Sequence, residues 1–212
     1  MCGQFAVLGS VKAIKDYYTF LKDSGFIIDN DFYESDFVDL IKLPNDKVKP
    51  MDYMPIVCVD HLSSPPNNVP ELPQKINIIP ARWGLVPFWA KDETIAYKTI
   101  NARIETMKEK PSFKYAYQQR RCLIPVSGFY ERDSEKILHY FEVVDDNNEP
   151  QRSQIVTFKS FAGLYEIWGP NKLVTFTIVT QEADDRVKKV HPRMPIVLDN
   201  PQANKWLLAG NI

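Results

Sequence analysis

CLIPVSGFY, residues 122–130, decides the fold. Its mostly apolar, branched and aromatic side chains sit between Arg120–Arg121 and Glu131–Arg132, the composition of a buried strand. Similar runs follow at Ile137–Val144, Ile155–Trp168 and Leu173–Thr180, with a polar turn at Asp145–Pro150 between two of them. Upstream, Gln4–Leu8 reads as a short strand, Pro55–Val59 as a buried one, and Ile76–Pro87 as extended. Helical patterning lies at the periphery. Val11–Ser24 carries it at Ile14, Tyr17, Tyr18 and Leu21, with Gly25 as its stop. Pro111 opens a short helix to Gln119. Asp199 or Asn200 caps a last one, with Pro201 in its first position and Trp206 and Leu207 on its buried side. Residues 29–50 read as acidic and irregular, and 61–74, with Pro65, Pro66, Pro70 and Pro73, as a proline-rich loop insertion. The expectation is an α+β fold over 1–212 in a single domain, mostly antiparallel strands with a few peripheral helices.

Composition narrows the function classes. With 44% hydrophobic and 25% charged residues among 212, the chain buries a core without disulfides or a structural metal. Cys2, Cys58 and Cys122 are odd in number and widely spaced, with no CxxC. Neither a disulfide framework nor a zinc site is expected, no cofactor is called for, and a cytoplasmic location, nucleoid-associated if bacterial, is the default expectation. No stretch reaches the roughly 20 apolar residues of a membrane span, and the start MCGQFAVLGS lacks the features of a signal peptide. The net charge is −1, but Lys98, Arg103, Lys108, Lys110, Lys114, Arg120, Arg121 and Arg132 fall in a stretch whose acids are Glu105, Glu109 and Glu131. That run fits a phosphate-tracking groove and fits a merely solvated basic face equally well.

Cys2 carries the distinctive chemistry. Removal of Met1 would leave an α-amine and a thiol on one residue. An α-amine has a reference pKa of about 7.7–8.0, so part of it is neutral near pH 7 and attacks an aldehyde to give a Schiff base. The thiol then adds to the imine carbon and closes a five-membered thiazolidine, an intramolecular step favoured by effective molarity. Taken alone, a cysteine in second position is more often a small buried hydrophobe.

MCGxF at the start, NARIET at 101–106, GFYE at 128–131 and HPRMPIVL at 191–198 occur in this order. They are joined by WGLVPFWAKD at 83–92, RRCLIP at 120–125 and IVTQEAD at 178–184. The series resembles the SRAP family, the SOS-response-associated peptidases also called abasic site processing proteins, and it runs from Met1 to about Trp206. The resemblance implies a β-rich fold with a basic groove that binds single-stranded DNA around a flipped-out abasic sugar, cross-linked to Cys2 in a lyase-type reaction. By the family pattern Asn101 positions Cys2, Glu131 is the general acid/base, and His191 stabilises or protonates the sugar oxygen. Arg103, Thr180 and Arg193 match positions that contact the DNA backbone, and Trp89 is the stacking candidate among Trp83, Phe88 and Trp89. The expected partner is single-stranded DNA containing abasic sites, with the protein a monomer and no membrane involved. By residue type alone, Glu131 could be a strand-end charge, His191 a loop histidine, Asn101 a turn residue and Arg103 a surface partner of Glu105. His61, His139, Cys58 and Cys122 read as structural.

Two positions depart from the pattern. Gln4 stands where the family commonly has arginine, which weakens phosphate binding, and Arg132 stands where it usually has tryptophan. Two other functions share the same residues. One is a cysteine peptidase limited to autocatalytic loss of Met1. The other is a lesion-binding module that never cross-links.

Overall fold

The computed structural model describes residues 2–28, 40–59, 74–143 and 158–209. The acidic stretch from Asp29 to Asp39, the loop residues 61–73 with His61, the turn Asp145–Pro150 and the strand start at Ile155 lie outside these residues.

Two sheets make the body. The small one has the order β3-β1-β8-β9, from β1 (Gln4–Val7), β3 (Asn45–Val48), β8 (Gly128–Arg132) and β9 (Leu138–Glu142). The large one runs through β2 (Ile27–Ile28), β5 (Lys75–Trp83), β4 (Tyr53–Val59), β7 (Arg121–Val126), β10 (Lys159–Trp168), β11 (Leu173–Glu182) and β12 (Arg193–Pro195). Parallel pairing of β11 with β5 closes β5-β4-β7-β10-β11 into a five-stranded barrel. Two short strands attach to it, β6 (Asn101–Arg103) beside β11 and β13 (Val197–Leu198) beside β10. Strands dominate and their ladders are mostly antiparallel. The parallel exceptions are the short pairings of β2 and β11 with β5 and of β6 with β11.

The run 122–130 is two strands rather than one, because the chain changes sheets at Ser127. Its N–H donates to Ala6 O at 2.9 Å, its Oγ accepts from Leu8 N–H at 3.1 Å, and its carbonyl accepts from Val143 N–H at 3.0 Å. One serine therefore fastens β1, β7 and β9 where barrel and small sheet meet. Gly128 follows because the Tyr140 ring packs against its backbone, and a Cβ there would lie 2.2 Å from the Tyr140 hydroxyl. The inner faces fill one core, in which Phe5 meets Trp83 and Phe161 edge-on at 5.1 and 5.8 Å.

The helices are short. The expected helix over 11–24 is broken into α1 (Val11–Tyr17) and α2 (Phe20–Asp23), because Thr19 turns its hydroxyl onto Asp16 O at 2.7 Å instead of continuing the ladder. Gly25 ends the segment at φ 86°. Helix α3 spans Pro111–Gln119 as read, α4 is the single turn Asp185–Lys188, and α5 spans Asn200–Ala209 with Asp199 Oδ1 capping Gln202 N–H at 2.7 Å. No described helix is long and apolar enough to cross a membrane.

Candidate active site

Strand β1 pairs with β8 so that Gln4 faces Tyr130, which brings Cys2 beside Glu131. Strand β6 approaches from the other sheet, and Asn101 Nδ2 donates to the Cys2 carbonyl at 2.7 Å. Glu131 and His191 complete the group, with Oε2 and Nδ1 3.7 Å apart. The four residues named from the sequence as catalytic come from four separate segments and converge at the start of the chain.

The electrostatics suit proton transfer. Cys2 is fully buried, and desolvation followed by the nearby Glu131 charge pushes its thiol well above the usual range. It is therefore a thiol rather than a thiolate at neutral pH. Burial likewise raises the Glu131 carboxyl toward neutrality, against the pull of the chain's amino-terminal charge and of His191. A carboxyl raised in this way keeps its proton to higher pH than a solvated one, which suits it to proton transfer. The His191 Nδ1 lies 3.1 Å from the Arg193 N–H and 3.0 Å from the Arg193 carbonyl. It accepts from the first when unprotonated and donates to the second when protonated.

The His191 segment is held from several sides. Asp184 caps α4 through Val187 N–H at 2.8 Å, and His191 N–H closes onto Val187 O at 2.9 Å. Arg186 reaches across to β9, 5.6 Å above the Phe141 ring and 3.3 Å from Glu142 O. It ties the His191 segment to the sheet that carries Glu131. Nothing in the local sequence around Arg186 marked it for this.

The remaining candidates divide. Arg103 is exposed on β6, opposite Thr180 of β11, whose other side faces β12. Thr180 itself has no accessible surface. Its carbonyl and hydroxyl hold Arg193 Nη2 at 2.7 and 3.3 Å, so its reach to the surface runs through that arginine. Arg193 also forms a two-pronged pair with Glu105, which takes the place of the Arg103–Glu105 pairing considered from sequence. Trp83 is core, its Nε1 donating to Ile100 O at 2.8 Å. Phe88 and Trp89 are about half exposed, at 55% and 48%. Trp89 Nε1 reaches Pro111 O at 3.4 Å, Phe88 meets Tyr115 edge-on at 5.0 Å, and Trp168 Nε1 pins Ala90 O at 2.8 Å.

The basic run is partly consumed by structure. Arg120 pairs with buried Glu166 and lies over Tyr115, and Arg121 donates to carbonyls of Tyr117, Trp206 and Leu208. Arg132 donates to Lys136 O at 2.7 Å in its own hairpin turn. Lys98, Arg103, Lys110 and Lys114 stay exposed, and Lys108 lies 5.2 Å from the Tyr117 ring. Cys58 and Cys122 are buried opposite each other on β4 and β7, and His139 pairs with Asp133 at 2.7 Å.

A family model described as SOS response associated peptidase (SRAP) matches residues 1–211. The abasic site processing protein YoqW of Bacillus subtilis (strain 168) is 41% identical over 136 residues, covering 61% of this chain and 57% of that protein. The abasic site processing protein HMCES of Xenopus tropicalis is 32% identical over 150 residues, covering 62% and 45%. The match thus spans less than two thirds of these curated relatives. Among solved structures, a protein from Bacteroides thetaiotaomicron superposes with a TM-score of 0.66 at 26% identity, covering 97% of this chain and 81% of the other. One from Bordetella bronchiseptica gives 0.65 at 19% identity, covering 98% and 89%.

Proposed function

The chain belongs to the SRAP family, and from that premise we propose that it processes abasic sites by cross-linking the ring-opened sugar to Cys2 after Met1 is removed. The observation that carries this is the convergence of Asn101, Glu131 and His191 on a second-position cysteine.

The chemistry runs as a balanced sequence. The α-amine of Cys2 adds to the sugar aldehyde, and the carbinolamine loses its hydroxyl as water when Glu131 or His191 supplies a proton. Because the thiol is held protonated, a base must take its proton as sulfur adds to the imine carbon. Ionised Glu131, whose charge is felt by the thiol, would do so and pass that proton to the imine nitrogen. The product is a thiazolidine, and one water is lost overall. Asn101 fixes the Cys2 carbonyl, which limits the rotation of the amine about its own residue. Arg103 and Arg193 would take backbone phosphates of a single strand, with Thr180 supporting Arg193, and Trp89 would stack a base.

The test mixes protein lacking Met1 with a single-stranded oligonucleotide carrying one abasic site and reads a denaturing gel and intact mass. The expected adduct has the summed masses less one water, disappears with Cys2→Ala and forms more slowly with Glu131→Gln. Binding without any adduct would leave a non-covalent lesion-binding module instead.

A further inference from the structure

Glu105 and Arg193 form a fork-to-fork pair, Nη1 to Oε1 at 2.7 Å and Nη2 to Oε2 at 3.1 Å. The two sides are unequally exposed, with the Arg193 side chain 13% accessible and that of Glu105 47%. The arginine is therefore set into the wall and the acid covers it from outside. Arg103 is close enough to add to the field on the same carboxylate. An acid between two arginines, at the rim of a site meant to meet a polyanion, opposes the expected charge complementarity. Its geometry offers a reason for its presence. A carboxylate on the guanidinium fork presents two oxygens to two parallel N–H groups, as a phosphate does.

We propose that Glu105 is an internal stand-in for a DNA phosphate, occupying the fork of Arg193 in the free protein and giving it up when a strand binds. This rests on the reading that a strand passes Cys2, and it names the exchange that admits the strand.

The surroundings allow such an exchange. Nη2 of Arg193 is also bonded to the Thr180 carbonyl at 2.7 Å and approaches its hydroxyl at 3.3 Å, so departure of Glu105 leaves the guanidinium aimed. Arg193 Nε is buried without a hydrogen-bond partner among the described residues, so the guanidinium is not saturated by the pair. A half-exposed acid is held weakly and reaches solvent without unfolding anything. The Arg193 backbone N–H bonds His191 Nδ1, which places the exchange one hydrogen bond from the proton-transfer pair.

A double-mutant cycle tests this with an unmodified single-stranded oligonucleotide, whose lack of an aldehyde removes covalent chemistry from the readout. Wild type, Glu105→Gln, Arg193→Gln and the double variant are compared by fluorescence anisotropy at one fixed salt concentration, after thermal unfolding has shown each to be folded. Glu105→Gln should bind about threefold to tenfold more tightly, as expected when one competing charge-assisted pair is removed. The double variant should bind like Arg193→Gln alone. A gain that survives in the double variant would mean simple charge repulsion, and unchanged or weaker binding by Glu105→Gln would mean the acid only positions Arg193. Either result overturns the exchange. Wild-type protein gives a second readout, since the Glu105 carboxyl carbon should titrate at higher pH once strand is added, and an unmoved midpoint also overturns it. Failure to cross-link abasic DNA with this binding intact would sink the proposed chemistry alone, whereas absence of strand binding would sink both.

Discussion

Glu131 and His191 face each other at 3.7 Å from different sheets, the first on β8 of the small sheet and the second just before β12 at the edge of the barrel sheet. Neither sheet alone makes an acid–base pair. The pair exists because Ser127 and Arg186 fix how the sheets meet, one through the chain's crossing and the other through Phe141 and Glu142.

Burial raises the Glu131 carboxyl, so folding favours its protonated form. No penalty is present below the ordinary carboxylate range, and the penalty grows as pH rises through the raised value. Glu131→Gln should therefore stabilise the protein at pH 8, where the buried carboxylate would otherwise be charged. The gain should vanish near pH 4. Thermal unfolding across that range reads it, and a gain independent of pH would show that ionisation is not its source.

Asn101 touches the Cys2 carbonyl from β6. Removing that bond in Asn101→Ala should slow cross-linking about 10- to 100-fold through lost orientation. Affinity for an unmodified strand should stay near wild type. Single-turnover kinetics at saturating protein separate the two, and an equal loss in both would reassign Asn101 to strand binding.

Arg121 looks in the sequence like part of a basic stripe but is bonded to carbonyls of α3 and α5. Arg121→Met should cost about 1.5–3 kcal/mol of stability, the range for hydrogen bonds to a charged group. DNA affinity and its salt dependence should not change. A smaller salt slope for the folded variant would return Arg121 to the DNA surface.

Trp89 is half exposed, and its bond to Pro111 O is long at 3.4 Å. Trp89→Ala should leave stability within about 0.5 kcal/mol. It should weaken single-strand binding by roughly 1–3 kcal/mol, the worth of one stacked base. Anisotropy with the variant decides this, and unchanged affinity would move the stacking role to exposed neighbours such as Phe88 or, on α3, Tyr115.

The strand runs and the outer helices were legible because their signals are local: branched and aromatic stretches, Pro111 opening α3, Gly25 ending α2. The break at Ser127 was not, because the apolar run continues through it and only the meeting of two sheets divides it. Strands β6 and β12 were also missed. They are three residues each and owe their form to the edges of β11 rather than to their own composition. At the site, the ordered motifs named Cys2, Asn101, Glu131 and His191, and the structure brings these four together. It treats the basic residues differently. Whether an arginine reaches solvent or binds a carbonyl is a property of its neighbours, so a charge count over 98–132 could not separate Arg103 from Arg121. Glu105 looked like a partner for Arg103 because the two are close in sequence, whereas its actual partner arrives from 88 residues away.

Strand β1 lies between β3 and β8, in regular register with β8 from Gln4 to Ala6 and with a shift against β3 between Phe5 and Val7. Most chain ends tolerate a residue more or less, and this one has no such latitude. Losing or gaining one residue between Cys2 and Gln4 would turn the residue-2 amine to the opposite face of the small sheet. Sliding the strand to compensate would bring Gln4 into the core place of Phe5 after a gain and Ala6 into it after a loss. In the proposed reaction the spacing from residue 2 to the first ladder pair therefore matters as much as the sulfur, and it can change only in step with the sheet.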